Sequence, residues 1–230
     1  MTIDHSPLPI HNPQPTNMNF STAISNDRKT FKQNHLLKIY LAIFFICWMV
    51  TFINTTNRSN WVTENVLTVI FIFSMIFTYK KFKFSDLSYT LFFVYILLHI
   101  YGAEYTYAEN PFGYWLKETL HLNRNYYDRI VHFSFGFMLA YPMRDYFKNY
   151  MQWPDWVCWV LPVEITMSFS AAYELIEWLV ADVFYPEEGA AYLGSQGDIW
   201  DAQKDMGIAF AGAIICMLLF RVIKAVRKKG

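Results

Sequence analysis

Charge is scarce in this chain, and what there is cancels. Asp, Glu, Lys and Arg make up 17% of the 230 residues, and nineteen basic side chains balance nineteen acidic ones. No basic field therefore recommends a nucleic-acid partner. Cysteine is nearly missing: Cys47, Cys158 and Cys216 stand singly inside apolar blocks. Without CxxC or Cys/His spacing they read as small packing residues, not as a disulfide framework or structural zinc. A glycine-rich phosphate loop, an HExxH pair and a nucleophile elbow are also absent, which removes the common hydrolase and nucleotide signatures. What fills the chain is apolar: 54% of it is hydrophobic and 20% aromatic, well outside the usage of soluble domains.

The apolar residues fall into six blocks, at residues 36–53, 61–78, 87–101, 128–142, 156–181 and 198–223. A helix rises about 1.5 Å per residue and needs about 20 apolar residues to cross the hydrocarbon, so the blocks read as membrane spans. The expectation is an all-α, polytopic membrane helix bundle over residues 35–230. The fourth block is the shortest, ending at Tyr141-Pro142, and the sixth helix is expected to begin at Asp198. Four of the nine prolines lie in residues 1–34 among Asn, Thr and Ser, the composition of a disordered tail. His5, His11 and His35 are too scattered for a metal tract, and no cleavable signal peptide precedes the first block.

Orientation follows from Lys and Arg placement. With the amino terminus inside, Arg28, Lys29, Lys32, Lys38, Lys80, Lys81, Lys83, Arg144, Lys148, Arg221, Lys224, Arg227, Lys228 and Lys229 are cytoplasmic, fourteen of the nineteen. The positive-inside rule then gives six spans with both termini in the cytoplasm.

Topology assigns a depth to each ionisable group. His99 and Glu104 close the third span on the outer side, Asp128 and His132 open the fourth, Glu174 and Glu177 precede the outward exit of the fifth, and Asp201 and Asp205 begin the sixth. The pairs Asp128/His132, Glu174/Glu177 and Asp201/Asp205 each have same-face helical spacing. Ionised groups within a bilayer are costly, so these faces should turn toward one another around an outward polar cavity. His132, Glu174, Glu177, Asp201 and Asp205 are the candidates for general acid/base chemistry. His132, Glu174, Asp201 and Asp205 could together hold a divalent cation. Asp128, Gln203, Lys204, Tyr173 and His99 are candidates for contacting a ligand such as an envelope lipid or its headgroup. The same carboxylates could instead form the ion path of a proton- or cation-coupled transporter, or the polar glue of a non-catalytic scaffold. In the structural reading, Asp198 is an N-cap and Arg129 or Lys204 neutralises a carboxylate. Glu164, deeper and beside Pro162, reads as structural.

The runs at residues 99–112, Asp128-Arg-Ile-Val-His132-Phe133, Gly136, Ala140-Tyr-Pro142, Tyr173-Glu-Leu-Ile-Glu177-Trp178 and residues 193–206 resemble the YjdF-like bacterial inner-membrane proteins, a family of unknown function. The order Asp-x-x-x-His, Glu-x-x-Glu, Asp-x-x-x-Asp-x-Gly is also similar, more distantly, to the VanZ-like membrane proteins. That similarity implies roles for Asp128, His132, Glu174 or Glu177, Asp201 and Asp205 at the cell envelope. Asp205 stands where the VanZ-like pattern usually has Asn.

Overall fold

A computed structural model describes residues 28–184, 193 and 195–227. Outside the described residues lie most of the expected tail, with His5 and His11, the acidic connector around Pro186-Glu-Glu-Gly189, and Lys228 and Lys229. Among the described residues there are seven helices and no strands: α1 (His35–Asn54), α2 (Arg58–Lys81), α3 (Asp86–Glu104), α4 (Pro111–Thr119), α5 (Tyr127–Asn149), α6 (Asp155–Phe184) and α7 (Asp201–Arg227). By length and composition, α1, α2, α3 and α7 are apolar enough to cross a membrane.

Most helix starts are set by local chemistry. Asn34, Asn57, Ser85 and Asn110 each accept a backbone N–H from the first turn of the helix that follows, satisfying donors that have no partner within the helix. Asn110 caps α4, with Pro111 at its first position, so the expected loop before the fourth block contains a short helix.

Two expected boundaries are corrected. The fourth block does not stop at Pro142: α5 runs for 23 residues with Pro142 buried inside it. Neighbouring helices surround that proline, a setting in which membrane helices tolerate it. The last helix starts at Asp201, not Asp198. Gln196 and Gly197 adopt positive φ, and Asp198 folds a separate turn in which its side chain accepts the Trp200 N–H and its carbonyl accepts the Asp201 N–H. Trp200 therefore takes the cap position of α7, its carbonyl accepting from Lys204.

At the centre stands α5, packed against α3, α6 and α7, while α1 and α2 lie against α3. The α5–α7 crossing is the closest. A Cβ on Gly136 would overlap the Ala209 carbonyl, and one on Gly212 would overlap the Phe133 carbonyl. Ala140, Ala209 and Ala213 are fully buried alongside. Small residues let two backbones approach where lipid supplies no hydrophobic drive between helices. Large apolar side chains face outward instead, among them Ile46, Ile53, Phe77, Leu218 and Val222. The three cysteines are free, with Cys158 and Cys216 buried.

Residues 28–34, counted with the tail in the sequence, are tied to the bundle. Arg28 makes two hydrogen bonds to Asp145, at 2.7 and 2.9 Å, and Lys29 and Asn34 both reach Asp86. Asp145 also accepts from Ser85, Ser88 and Asn149. At the opposite end, Asn125 donates to the Asn110 carbonyl, and its backbone N–H and C=O both bond to the Gln196 amide. This joins the segments before α4, before α5 and before α7.

Candidate functional site

The start of α5, the end of α6 and the start of α7 meet at one end of the bundle and bring together most of the side chains expected at one level. Asp128 and His132 lie one turn apart on α5, and the His132 Nε2 stands 3.5 Å from Asp128 Oδ1 and 3.6 Å from Glu174 Oε1 on α6. Ligating atoms of Asp128, His132 and Asp205 all lie within 4.8 Å of one another. Asp205 is 2% exposed. Its Oδ2 is 2.5 Å from Arg129, while its Oδ1 is buried without a hydrogen-bond partner, as is Glu174 Oε1.

Asp201 sits differently. It accepts from Arg124 at 2.6 Å and from Arg129, whose guanidinium also reaches the Asp201 carbonyl. Asp198 is held mainly by Lys204, at 2.7 Å, and that ammonium, with the Trp200 N–H, keeps the partly exposed Asp198 carboxyl below the ordinary carboxylate range. Arg124, Arg129 and Lys204 thus serve Asp198, Asp201 and Asp205. Among the described residues, no Lys or Arg forms an ion pair with Asp128, Glu174 or Glu177. Gln203 is exposed.

Sequence reasoning missed Glu64. It is 8% exposed on α2 and accepts from the Tyr173 hydroxyl at 3.2 Å, across 109 residues. Asn60, Asn65 and Thr68 are buried on the same helix, and this polar stripe through an apolar run was the available signal. Glu177 faces the same tyrosine hydroxyl. Tyr107 was missed as well: it stands at positive φ, packs over Gly102, where a Cβ would strike its ring, and its hydroxyl lies 2.6 Å from His99 Nδ1. The His99 Nε2 is buried and unpartnered. Glu164 is exposed on α6, away from these groups.

A cavity of about 740 Å³ connects this layer to the rest of the bundle. His99, Tyr107, Asp128, His132 and Tyr173 line one end. Beyond them the walls are Phe71, Met75, Phe92, Phe135, Leu139 and Ile165, down to Tyr146 and Phe147. Ile70 on α2 and Phe169 and Ile176 on α6 line it while remaining more than half exposed, so it opens sideways between those helices. A polar head and a long apolar body share one space.

Comparison with known proteins agrees with this membrane architecture. The inner membrane protein YjdF of Escherichia coli (strain K12) is 32% identical over 170 residues, covering 73% of this chain and 80% of that protein. No solved structure matches the chain. The family described as predicted membrane protein (DUF2238) matches residues 36–225, and the chain belongs to that family of membrane proteins.

Proposed function

We propose that this is a six-span protein of the bacterial inner membrane, both termini cytoplasmic, whose outward pocket binds an envelope lipid. The headgroup sits among His99, Tyr107, Asp128, His132 and Tyr173, and an acyl chain lies in the apolar groove below. The observation that carries this reading is the cavity of about 740 Å³, polar at one end, apolar along its length and open toward the bilayer. Its size lies in the range of about 300–1,000 Å³ typical of small-molecule sites. The topology is supported by the gathering of Arg28, Arg144, Lys148 and Lys224 at one end of the bundle, around Asp145 and Asp155.

His132, between Asp128 and Glu174, is the group placed to exchange a proton with a bound headgroup, and Glu177 and Glu64 stand behind Tyr173 as further carboxyl groups. An ion-conducting path draws on the same carboxylates but fits less well. Below His132 the cavity walls are mainly Phe, Leu, Ile and Met side chains, with scattered hydroxyls at Thr68, Ser74, Thr78 and Ser170 and no further carboxylate or histidine, so no row of charged groups leads an ion onward.

The test is lipid retention. Full-length protein purified in mild detergent should carry lipid detectable by native mass spectrometry. Ser74→Trp, which fills the groove from α2, should reduce it at least fivefold, whereas Leu218→Trp on the outward face of α7 should leave it unchanged. A parent without bound lipid, or equal retention in the two variants, refutes the proposal.

A further inference from the structure

The acidic end of the pocket has a charge imbalance that its own side chains do not resolve. Each base near it is engaged: Lys204 by Asp198, Arg124 by Asp201, and Arg129 by Asp201 and Asp205. Asp128 and Glu174 remain, with only His132 beside them. Partly buried carboxylates without a base call for another positive group, because an unpaired charge in a poorly solvated site is costly.

The spacing says which kind of group fits. His132 Nε2 is 3.5 Å from Asp128 Oδ1 and 3.6 Å from Glu174 Oε1, too long for good hydrogen bonds. A divalent first-row ion with bonds of about 2.0–2.2 Å in tetrahedral geometry separates its ligands by about 3.4 Å, close to both edges. The third side is Asp205, whose side chain is 3% exposed. Its Oδ1 lacks any partner, and its ligating atoms fall within 4.8 Å of those of Asp128 and His132. The free Glu174 Oε1 is the other orphaned acceptor. Glu174 Oε1 thus stands 3.6 Å from the His132 ring nitrogen, and Asp205, from a third helix, brings a ligating atom within 4.8 Å of Asp128 and His132.

We propose that Asp128, His132 and Asp205, whose ligating atoms lie within 4.8 Å of one another, form a divalent-cation site at the head of the pocket, with Glu174 beside His132 as its fourth ligand, taking an ion of the Zn²⁺ or Mn²⁺ class. One imidazole among carboxylates suits those ions better than Mg²⁺ or Ca²⁺, which favour all-oxygen sets. Arg129 is then a positioning residue. It holds Asp205 Oδ2 and leaves Oδ1 for the ion, as outer-shell groups orient ligating carboxylates elsewhere. Asp201, consumed by two guanidiniums, lies outside the ligand set. This inference rests on the same pocket as the lipid reading and gives its head a group able to meet a lipid phosphate, which the bare carboxylates would repel.

Metal binding can be measured without lipid, so the two readings fail separately. Full-length protein stripped with chelator and delipidated in detergent would be titrated with ZnCl₂ and, separately, MnCl₂. One ion per chain is expected, with binding weakened at least tenfold in both His132→Ala and Asp205→Asn and unchanged in Asp86→Asn at the far end of the bundle. For the Mn²⁺ form, pulsed electron paramagnetic resonance should show coupling to an imidazole nitrogen that His132→Ala removes. A parent that binds neither ion overturns the proposal, as does an ion whose affinity survives both pocket substitutions. A folded parent decides the first outcome even if a variant fails to fold.

Discussion

Arg129 is 5% exposed and bonds to Asp201 and Asp205 together, so its removal should act through the charges it leaves behind. Arg129→Met strands the Asp205 carboxylate and weakens the hold on Asp201, at a cost of about 3–5 kcal/mol. The expected result is a clear fall in the apparent thermal midpoint in detergent. Adding Asp205→Asn should recover much of that loss, and a double variant no more stable than the single would contradict the account. These ion pairs also mark where sequence reasoning stopped. His132, Glu174 and Asp205 were legible because each stands on a same-face pair inside an apolar block. The partners of Asp201 were not, since Arg124 and Arg129 reach it across 77 and 72 residues, and nothing local distinguishes them from the other charges near the helix ends. Glu64 escaped because it has no charged neighbour at helical spacing; its partner Tyr173 comes from another helix.

Helix boundaries were legible where hydrophobic blocks and caps coincide, as at Asn34, Asn57 and Ser85. They failed at Pro142 and Asp198. In the first case a helix-breaking residue is absorbed by packing on all sides, and in the second positive-φ residues spend the aspartate on a turn. The α5–α7 crossing gives the sharpest prediction at this scale. Gly136→Ala places a methyl where the Ala209 backbone already is, so the helices must separate and the site atoms they carry must shift. Gly207→Ala meets nothing within 4 Å, and in a helix interior it should stabilise by about 0.5–1 kcal/mol. Thermal midpoints in detergent should therefore move in opposite directions for two nominally identical substitutions on facing helices. Equal behaviour would mean that the close approach is not what holds α5 and α7 together.

The number of spans decides whether the pocket lies in the membrane, and their orientation decides which way it faces. Four helices are apolar enough to cross by composition alone. The other two long ones, α5 and α6, have 23 and 30 residues but carry the charges of both ends. Their polar groups are largely turned inward: Arg129, His132 and Asp145 are buried, and Trp156, Phe169, Leu175 and Trp178 are exposed. That inverted pattern is what lipid on the outside and a polar network on the inside would select. A four-span protein and a six-span protein place the connectors differently. If α5 and α6 cross, Glu118 in the last turn of α4 lies outside, while Lys81 at the end of α2 and Gln152 between α5 and α6 lie inside. If they do not cross, Glu118 and Gln152 share one side. Single cysteines at Lys81, Glu118 and Gln152, all exposed, in a chain with Cys47, Cys158 and Cys216 replaced by Ala or Ser, can be labelled in intact cells with an impermeant maleimide. Labelling of Glu118→Cys alone is expected. Labelling of Gln152→Cys together with it would remove α5 and α6 from the membrane, and labelling of Lys81→Cys in place of Glu118→Cys would turn the pocket toward the cytoplasm.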